Sequence, residues 1–414
     1  MDLGWLDQLP QPNQKRLAVR VSDEARRWLR KGHPWLYEDS ITSISHDGQA
    51  GDLAVVFDSK RDFVAIGLFD PNSPIRVKVL HRGKPTPIND QWWGTQLEEA
   101  LVRRQGLLAS THTTGVRCIN GENDGFPGLV VDKYDQIAVV KIYTEAWLPY
   151  LATLVPQLVE LLELESLVLR LSRRSANHVP AVIYDGMAIY GHAPTAPVLF
   201  KENGLTLEAD VVAGQKTGYF LDQRDNRHLI GENARGARVL DVFCAGGGFT
   251  VAAAAGGARS VLSVDISAPA LSATARNLAH NGHIPAVANC KASSRQGDAF
   301  EVLEQLAKEG KRFDVVVVDP PAFAQNQASV ASALRAYARL SQLAIPLVNS
   351  GGLLMQASCS SRVTAEDFYR VVTKTASNAG VQLEELCRSG HALDHPVRFE
   401  EGKYLKAIFA RVRR

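Results

Sequence analysis

Asp241-Val242-Phe243-Cys244-Ala245-Gly246-Gly247-Gly248-Phe249 is the stretch that decides the fold class of this chain. An apolar strand predicted over Arg238–Phe243 leads into it, and a helix predicted over Thr250–Gly256 leaves it. The three glycines allow a tight turn with positive φ and let the backbone approach a ligand closely. A strand, a glycine-rich turn and a helix in this order are typical of the ligand-binding edge of a doubly wound α/β sheet.

Strands and helices alternate through the rest of the C-terminal half. Further strands are predicted at Ser260–Asp265, Val315–Asp319 and Leu353–Ser358, and further helices at Pro269–Asn281, Ala299–Glu309, Ser329–Val348 and Ala365–Ala379. This alternation favours right-handed βαβ units and a mostly parallel sheet. The predicted fold class is therefore α/β, with a Rossmann-like domain at the C-terminal end of the chain.

Changes in composition along the 414 residues predict three domains and a tail. A chain of this length is too long for one ordinary hydrophobic core. Residues 1–14 are predicted to be a disordered tail, residues 15–88 a β-rich barrel, and residues 89–198 an α+β domain. Residues 199–414 then form the Rossmann-like domain, after a proline-rich linker near Pro194 and Pro197.

The central domain is predicted from alternating apolar runs and turn residues. The pattern indicates a helix over Trp92–Ala109, a β-hairpin that turns at Lys133–Gln136, a helix over Glu145–Leu164 and a strand over Leu167–Leu171.

Composition narrows the class of protein. No apolar run approaches the ~20 residues needed to cross a bilayer, and the first residues lack the pattern of a secretory signal. The five cysteines are scattered, with no Cys-x-x-Cys pair, so neither a zinc site nor a disulfide framework is indicated. Reduced thiols in a cytoplasmic protein without a bound metal fit this pattern best.

A basic patch lies near the N-terminus although the net charge is only +2. Between Gln11 and Lys31 there are seven basic residues against two acidic ones, a local balance of +5. The predicted helix Ser22–Lys31 carries Arg26, Arg27, Arg30 and Lys31. A nucleic-acid partner would have to use such a local patch, and a solvated helix face is the alternative.

The glycine-rich turn predicts S-adenosylmethionine (SAM) rather than a dinucleotide as cofactor. A dinucleotide turn needs Gly-x-Gly-x-x-Gly, and Val251 stands where the third glycine belongs. Asp265, 19 residues after Gly246, ends the next strand and can accept both ribose hydroxyls of a nucleoside. Asp298 either binds the adenine amino group or caps the helix that follows it.

Asp319-Pro320-Pro321 follows four valines and places an acid at a stiffened strand end. Adenine N-methyltransferases carry an aromatic residue directly after such a proline pair. Here Ala322 separates Pro321 from Phe323, which weakens that option.

Cys359 ends the last predicted strand, between Ser358 and Ser360. C5 of cytosine is a poor carbon nucleophile, and addition of a thiolate at C6 turns it into an enamine that can take a methyl group. We predict that Cys359 is this thiolate and that Asp319 hydrogen-bonds N3 of the base. A small buried hydrophobic residue is the alternative for any cysteine, and Cys244 and the other three are interpreted in that way.

Taken together, these motifs resemble those of a known family, the bacterial ribosomal RNA large subunit methyltransferase I family of SAM-dependent 5-methylcytosine enzymes. The resemblance runs from about Arg16 to Val412. Its motifs are Gly32-His33-Pro34-Trp35, Asn120–Leu129, Gly214–Arg224, Asp319-Pro320-Pro321-Ala322-Phe323, Ser358-Cys359-Ser360 and Asp394-His395-Pro396-Val397.

The resemblance implies an RNA-binding PUA domain over residues 15–88, a class I SAM methyltransferase domain over residues 199–414 and a nucleophilic role for Cys359. It further implies 23S rRNA, naked or in a ribosomal particle, as the partner, with no DNA or membrane partner, and a homodimer. The implied SAM-binding residues are Phe220, Gln223, Asp241, Phe243, Gly246, Gly247, Gly248, Phe249, Asp265, Ile266, Asp298, Ala299 and Asp319. The implied RNA-binding residues are Arg26, Arg27, Arg30, Lys31, Pro320, Pro321 and Phe323, with Phe323 stacking on the base.

Several alternatives stay open. A guanine-N7 methyltransferase with the same fold would need no nucleophile, and an RNA-binding assembly factor would need no SAM. A NAD oxidoreductase is disfavoured by the failed dinucleotide pattern. Many RNA 5-methylcytosine enzymes carry a second cysteine in the acid-Pro loop, where this chain has Pro321 and Ala322, so the group that removes the C5 proton is unassigned. His391 and His395 are candidates, or structural histidines.

Overall fold

The computed structural model describes residues 4–324 and 326–414, apart from the side chain of Asp7. The chain divides into two compact units. The first holds the residues up to Phe200 together with Ala209–Tyr219 and Leu393–Phe399. The second holds Lys201–Glu208, Phe220–Ala392 and Glu400–Arg414. The predicted boundaries at residues 88 and 198 stay predictions, and two short segments from beyond residue 198 group with the first unit.

The first unit contains two sheets. The six-stranded sheet has the order β2-β6-β5-β4-β1-β3, with β1 and β4 parallel and the other pairs antiparallel. Its strands are β1 Leu17–Val21, β2 Trp35–Tyr37, β3 Ile41–Ile44, β4 Leu53–Phe57, β5 Phe63–Phe69 and β6 Ile75–Arg82. Helix α1, Asp23–Arg30, begins at Ser22, whose hydroxyl accepts the Ala25 N–H. The alternating burial of β1 packs Leu17, Val19 and Val21 into the core of this β-rich module.

The N-terminal residues correct one prediction. Residues 1–3 lie outside the described part of the chain, but Gly4–Gln8 form a 3₁₀-helix. Leu6 and Leu9 are buried in the hydrophobic core of the first unit. The prediction of a disordered tail over residues 1–14 is therefore wrong for residues 4–9, because two leucines three residues apart bury their side chains on one face of a single turn.

The five-stranded sheet has the order β11-β10-β9-β8-β7. Its strands are β7 Gly115–Asn120, β8 Leu129–Tyr134, β9 Ile137–Ile142, β10 Ser166–Leu171 and β11 Met187–Tyr190. The predicted hairpin is β8–β9, and its turn uses Asp135 at a φ of 56°.

The two predicted helices of this region are each divided in the structure. The first is α2, Asp90–Val102, followed by α3, Gln105–Leu108. The second begins as a 3₁₀-helix over Glu145–Tyr150 and continues as α4, Leu151–Leu162. The 3₁₀ stretch contains Pro149, which lacks a backbone N–H and so cannot complete a regular α-helical turn.

The second unit is built on a seven-stranded sheet of order β16-β15-β14-β17-β18-β20-β19. Strands β14 to β18 are parallel, and β20 is antiparallel to both β18 and β19. The strands are β14 Arg238–Val242, β15 Ser260–Asp265, β16 Lys291–Gln296, β17 Phe313–Val318, β18 Val348–Ser358, β19 Gln382–Ser389 and β20 Lys406–Arg413. A separate two-stranded sheet pairs β12, Val198–Glu202, with β13, Leu205–Ala209.

The described residues of the second unit form seven α-helices. They are α5 Arg224–Glu232, α6 Gly248–Ala255, α7 Ala268–His280, α8 Pro285–Asn289, α9 Ala299–Lys308, α10 Val330–Ala344 and α11 Ala365–Asn378. The four predicted strands and five predicted helices are all present, with ends shifted by a few residues. The central strands β14, β17 and β18 are almost wholly buried, as strands covered on both faces should be. Their carboxyl ends lie at one edge of the sheet, where the predicted site residues stand.

Candidate active site

The glycine-rich turn after β14 has an unusual backbone. Phe243, Ala245 and Gly247 have positive φ values of 63°, 47° and 75°. Non-glycine residues rarely adopt such values, because the side chain then crowds the backbone. The turn closes through a 2.7 Å hydrogen bond from the Gly247 N–H to the Cys244 carbonyl. It therefore needs support from its surroundings to persist.

Helix α7 supplies part of that support. The Asn277 amide donates to the Gly246 carbonyl at 2.7 Å, and the Thr274 hydroxyl donates to the Ala245 carbonyl at 3.1 Å. Thr274 packs so closely that a Cβ at Gly247 would lie 2.4 Å from its Cγ2. Gly247 is thus required both by its φ and by the approach of the neighbouring helix.

Asp265, at the end of β15, is fastened beside this turn. Its Oδ2 accepts the Ala245 N–H at 3.0 Å, and its Oδ1 accepts the Ser267 N–H at 2.9 Å. The next side chain, Ile266, is 69% exposed. A fixed carboxylate next to an exposed apolar side chain is a suitable surface for a ribose and an adenine ring, and the ribose contact of Asp265 stays a prediction.

Asp298 caps helix α9. Its Oδ1 accepts the Phe300 N–H at 2.9 Å and the Glu301 N–H at 3.3 Å, and the side chain is exposed. The helix-cap alternative is thus realised, and the adenine contact stays a prediction. The adjoining Ala299 is buried.

Asp241 lies fully buried at the end of β14. Its Oδ2 accepts the Thr250 hydroxyl at 2.7 Å, whereas Oδ1 is buried without a hydrogen-bond partner among the described residues. Burial raises the pKa of Asp241 to about 6. An unsatisfied buried carboxylate oxygen is costly, and a ligand donor or water at the turn would relieve that cost.

Asp319 follows β17 directly and is half-buried among other polar groups. Removal from water, followed by repulsion from the carboxylates of Asp222 and Asp241, raises the pKa of Asp319 to about 7. The Arg227 guanidinium and a hydrogen bond from Gln223 act in the opposite direction. Near neutral pH the carboxyl is therefore divided between its neutral and ionised forms, so it can donate a hydrogen bond as well as accept one.

The carboxylates around Asp319 are themselves anchored. Arg227 forms two 2.6 Å bonds to Glu202 and donates to the Phe220 carbonyl at 3.0 Å. The Tyr404 hydroxyl donates to Asp222 Oδ2 at 2.9 Å. The predicted cofactor residues Phe220 and Gln223 thus belong to the same surroundings as Asp319, within the second unit.

Cys359 lies directly after β18 and is half-buried. Its Sγ is 3.7 Å from the carbonyl oxygen of Pro320, the residue that follows Asp319. The loop that begins at Asp319 and runs to Ala324 is called the acid loop. The thiol of Cys359 and this loop therefore meet at the ends of two adjacent parallel strands.

Three hydroxyl groups hold the residues on either side of Cys359. The buried Tyr337 hydroxyl accepts from the Ser358 hydroxyl at 2.8 Å and lies 3.0 Å from the Ser360 Oγ. The Ser360 Oγ also accepts the Ala324 N–H at 3.3 Å. This network, formed by Tyr337, Ser358 and Ser360, ties the acid loop to the turn that carries the thiol.

The side chain of Lys406 also binds the turn that carries Cys359. Its buried ammonium group donates to the Ser360 and Val363 carbonyls, both at 2.6 Å, and to the Tyr404 carbonyl at 3.2 Å. Lys406 is also the register partner of Ser358 across the β18–β20 pair.

The pKa values of the other four cysteines disfavour them as nucleophiles. Burial raises the pKa of Cys118 to about 12 and raises the pKa of Cys244, Cys290 and Cys387 above the usual thiol range. A raised pKa leaves little thiolate near neutral pH, so these thiols are poor nucleophiles. This agrees with their interpretation as structural residues.

The remaining predicted residues of the site lie in several settings. The Phe323 ring is partly buried, 5.1 Å from the Tyr337 ring, so part of its surface is used in packing. Pro320 is buried and Pro321 exposed. Phe243 is partly buried and Phe249 is buried in the core beneath the turn.

The four bases predicted to bind RNA lie on α1 of the first unit. Arg26 and Arg30 lie 3.5 Å and 3.8 Å from the buried Asp58, while Arg27 and Lys31 are exposed. The patch is thus only partly available to phosphate, since two of its cations also interact with a carboxylate.

The two candidate histidines have structural partners. His391 Nε2 accepts the Leu405 N–H at 3.2 Å, and its ring packs edge-on against Tyr404. His395, in the first unit, is buried with Nδ1 2.9 Å from Asp394 Oδ1.

Four residues of the site were not predicted from the sequence, namely Tyr337, Lys406, Asp222 and Arg227. Little in the sequence indicates a role for Lys406, because strand β20 was not predicted. The residue that pairs with Lys406, Ser358, is also far away in the chain. Asp222 stands in the stretch Gly214–Arg224, which was quoted only as a family motif.

None of the helices formed by residues 4–324 and 326–414 has both the length and the apolar composition that a bilayer crossing needs. Within the same residues, no group of three or more His, Cys, Asp or Glu side chains is arranged to hold a metal ion.

Two family models match the chain. Residues 191–392 match the model of the S-adenosylmethionine-dependent methyltransferase family, and residues 19–82 match the model of the PUA-like domain. These matches confirm the predicted α/β fold class with its Rossmann-like methyltransferase domain, the N-terminal PUA-like domain, and SAM as the cofactor.

Curated relatives cover nearly the whole chain. A ribosomal RNA large subunit methyltransferase of Deinococcus radiodurans is 43% identical, over 97% of this chain and 98% of its own length. A ribosomal RNA large subunit methyltransferase I of Shewanella denitrificans is 33% identical, over 96% of this chain and 99% of its own length. A SAM-dependent methyltransferase structure from Streptococcus mutans superimposes with a TM-score of 0.80 at 21% identity, covering 95% of this chain and 99% of its own.

Proposed function

Because the chain belongs to the SAM-dependent ribosomal RNA large subunit methyltransferase I family, we propose that it forms 5-methylcytosine in 23S rRNA through a covalent bond between Cys359 and C6. The observation that carries this proposal is the 3.7 Å separation between Cys359 Sγ and the Pro320 carbonyl oxygen. It brings a half-buried thiol next to an acid whose pKa is about 7. Methyl transfer to a nitrogen atom would need no such thiol.

The residues present suit SAM. The turn after β14 approaches a ligand with bare backbone at Gly246–Gly248, and Asp241 offers a buried oxygen without a partner among the described residues. Asp265 is held in place for the ribose by two backbone N–H groups. When bound, SAM supplies the electrophilic methyl group.

The first proposed step is addition of the Cys359 thiolate to C6 of the cytosine. The sulfur lone pair forms the S–C6 bond, and the C5–C6 π electrons move towards N3. Asp319 in its neutral form donates a hydrogen bond to N3 and so stabilises the charge that develops there. At a pKa of about 7, this form is well populated at neutral pH.

In the second step C5 takes the methyl group, and the electron pair of the broken methyl–sulfur bond stays with S-adenosylhomocysteine. The C5 proton then passes to a solvent base. Its C–H electron pair restores the C5–C6 double bond, and the S–C6 pair leaves with Cys359 as a thiolate. Atoms and charges balance without a second cysteine, and the enzyme returns to its starting form.

The RNA must present the cytosine outside a helix, because a stacked and paired base hides C6 from a thiol. We propose that Phe323 and Pro321 contact the flipped base and that Arg27 and Lys31 on the PUA-like domain contact phosphates. The same proposal places the reaction in the cytoplasm. We also propose that the protein is a homodimer and that its substrate is 23S rRNA, either naked or in a ribosomal particle. Sedimentation of the protein alone and with each form of RNA would test the oligomeric state and the substrate.

A covalent trap tests the proposal. Transcripts of 23S rRNA segments that carry 5-fluorocytidine should form an adduct with the enzyme in the presence of SAM, since fluorine at C5 cannot leave as a proton does. The adduct should survive a denaturing gel. Cys359→Ala should give no adduct, and the matched control Cys387→Ala should give as much as the wild type.

Mapping on ordinary RNA completes the test. Labelled methyl groups should appear at a cytosine that becomes resistant to bisulfite. Methyl transfer by Cys359→Ala at the wild-type rate, with the label on guanine, would instead identify a guanine-N7 enzyme. Retention of SAM binding by Cys359→Ala, measured by calorimetry, shows that the variant is folded.

A further inference from the structure

We propose that Lys406 is a positioning residue that holds the turn of Cys359 in place and stabilises the thiolate with its positive charge. The inference rests on the proposed function of Cys359 as a nucleophile. It goes beyond that function because it assigns to a residue on a different strand the task of keeping the nucleophile ionised.

The geometry of the ammonium group supports the first part. A lysine ammonium has three N–H donors, and in Lys406 they reach the carbonyls of Ser360, Val363 and Tyr404. Ser360 follows Cys359 directly, and Val363 ends the same turn. One side chain therefore fixes both ends of the turn, and the three bonds are made to backbone atoms that no substitution can remove.

The charge of the ammonium supports the second part. With three carbonyl acceptors occupying its donors, Lys406 acts on Cys359 through space rather than through a direct hydrogen bond. Lys406 is buried, and a charge in a region of low dielectric acts more strongly than a charge in water. Removal from water lowers the pKa of Lys406 to about 8, and a negative charge on Cys359 raises it. The coupling is mutual, so the ammonium lowers the pKa of the thiol.

Lys406 stays charged under working conditions. With a pKa of about 8, about nine in ten molecules carry the ammonium at pH 7. The Pro320 carbonyl, which accepts the thiol hydrogen at 3.7 Å, favours the neutral thiol instead. A nearby cation is the group that can shift the balance towards thiolate.

Other titratable groups near the turn do not supply this charge. Tyr337 is neutral, because burial raises its pKa, and Asp319 opposes a thiolate in its ionised form. Tyr404 is bound to Asp222, and His391 packs against Tyr404. Two other cations lie in this region: Arg227, which acts on Asp319, is paired with Glu202, and Arg362 in the Cys359 turn is exposed. Lys406 is buried and bonded to neutral carbonyl groups, so its charge is the one most available to the thiolate.

The test is the pH dependence of Cys359 alkylation by iodoacetamide, followed by mass spectrometry of the digested protein. In the wild type we expect a midpoint below about 8.5, the ordinary value for a free cysteine. Lys406→Met should raise the midpoint by about one pH unit, which is about tenfold less thiolate at neutral pH. Lys406→Arg keeps the charge and should retain most of the shift.

Controls are available in the same chain. Lys403→Met removes an exposed lysine that is paired with Glu400, and it should leave the midpoint unchanged. Cys290 and Cys387 in the same digest report any general change in thiol exposure. A wild-type midpoint at or above 8.5, or an unchanged midpoint in Lys406→Met, would overturn the inference.

The wild-type midpoint needs no variant, so the inference stays testable if Lys406→Met fails to fold. The assay also separates this inference from the proposed function. Alkylation reports thiolate whether or not the enzyme methylates cytosine, and the adduct assay reports the reaction whether or not Lys406 supports it.

Discussion

Two turns at the same edge of the seven-stranded sheet are built in different ways. The turn after β14 is shaped by its backbone, with positive φ at Phe243, Ala245 and Gly247. The turn after β18 is held by side chains, namely the hydroxyls of Tyr337, Ser358 and Ser360 and the ammonium of Lys406. Each turn carries a cysteine at a strand end.

The difference explains why one thiol is a candidate nucleophile and the other is not. The backbone turn folds Cys244 inward, where its sulfur is buried 3.8 Å from the Thr274 hydroxyl and burial raises its pKa. The side-chain turn leaves Cys359 half-buried beside the acid loop. We therefore expect the reactivity of each thiol to depend on how its turn is held, and not on placement at a strand end alone.

The largest expected effect comes from replacing each thiol with a hydroxyl. Cys359→Ser should lower methyl transfer by roughly 10³-fold or more, because removal of a nucleophile abolishes the covalent route. Cys244→Ser should leave the rate within about threefold, since its sulfur takes no part in the reaction. The rates are measured with labelled SAM at saturating RNA. Equal losses in both variants would contradict the division of roles.

A Cβ at Gly247 should break the backbone turn. Gly247→Ala must accept a φ of 75° and a contact of 2.4 Å with the Thr274 Cγ2. Gly310, in the same unit, has a φ of 67° and nothing within 4 Å of its Cβ position. Gly310→Ala should therefore cost only the conformational strain of about 1–2 kcal/mol.

Gly247→Ala should cost about 1–3 kcal/mol more than that control, from overpacking. The free energy of unfolding in urea measures both variants. SAM affinity should fall in Gly247→Ala alone, because the turn of Gly247 is proposed to face the cofactor and the turn of Gly310 is not. An equal cost in the two variants would mean that Thr274 moves aside.

The raised pKa of Asp319 predicts that the stability of the folded protein depends on pH. Burial and the neighbouring carboxylates raise the pKa of Asp319 in the folded protein to about 7, above its unfolded value of about 4. The folded state therefore binds the proton more tightly. Its contribution to stability is fully present below about pH 4 and is lost as the pH rises through about 7.

Asp319→Asn should remove that dependence. The variant should lose less thermal stability than the wild type between pH 5 and pH 8. Asp298→Asn is the matched control, since Asp298 is an exposed cap and asparagine caps a helix equally well. A wild-type slope in Asp319→Asn would show that Asp241, whose pKa is raised to about 6, carries the pH dependence instead.

The two turns also differ in how far the sequence predicts them. Gly246–Gly248 and Asp265 are local signals, because a glycine-rich turn and a strand-ending acid can be recognised within a few residues. The strand ends at Asp319 and Cys359 follow from the same reasoning. Parallel strands present their carboxyl ends at one edge, so these residues were expected to meet there.

The supports of the Cys359 turn were not predicted, because they depend on pairing between distant strands. Lys406 meets Ser358 only through the antiparallel β18–β20 pair, and no periodicity within β20 identifies its partner. Tyr337 lies in a helix that was predicted, but its apolar ring gave no sign that its hydroxyl bonds two serines. The prediction of a disordered tail was wrong for a similar reason, since the burial of Leu6 and Leu9 depends on a core formed elsewhere in the chain.

The smallest expected effect tests the side-chain turn. Tyr337→Phe leaves the ring in place but removes the hydroxyl that bonds Ser358 and Ser360. Two buried hydroxyls then lose a partner, which should lower the free energy of unfolding by about 1–3 kcal/mol. Tyr369→Phe is the control, because the Tyr369 hydroxyl makes only a long 3.5 Å contact with the Ala407 carbonyl.

The catalytic effect of Tyr337→Phe should be confined to one kinetic constant. If the hydroxyl network only orients Cys359, kcat should fall by about three- to tenfold, which corresponds to about 1 kcal/mol of barrier. KM for SAM should not change, because the cofactor is proposed to bind at the other turn. A parallel rise in KM for SAM would show that the two turns are mechanically coupled, and the division between a backbone-built and a side-chain-built turn would then fail.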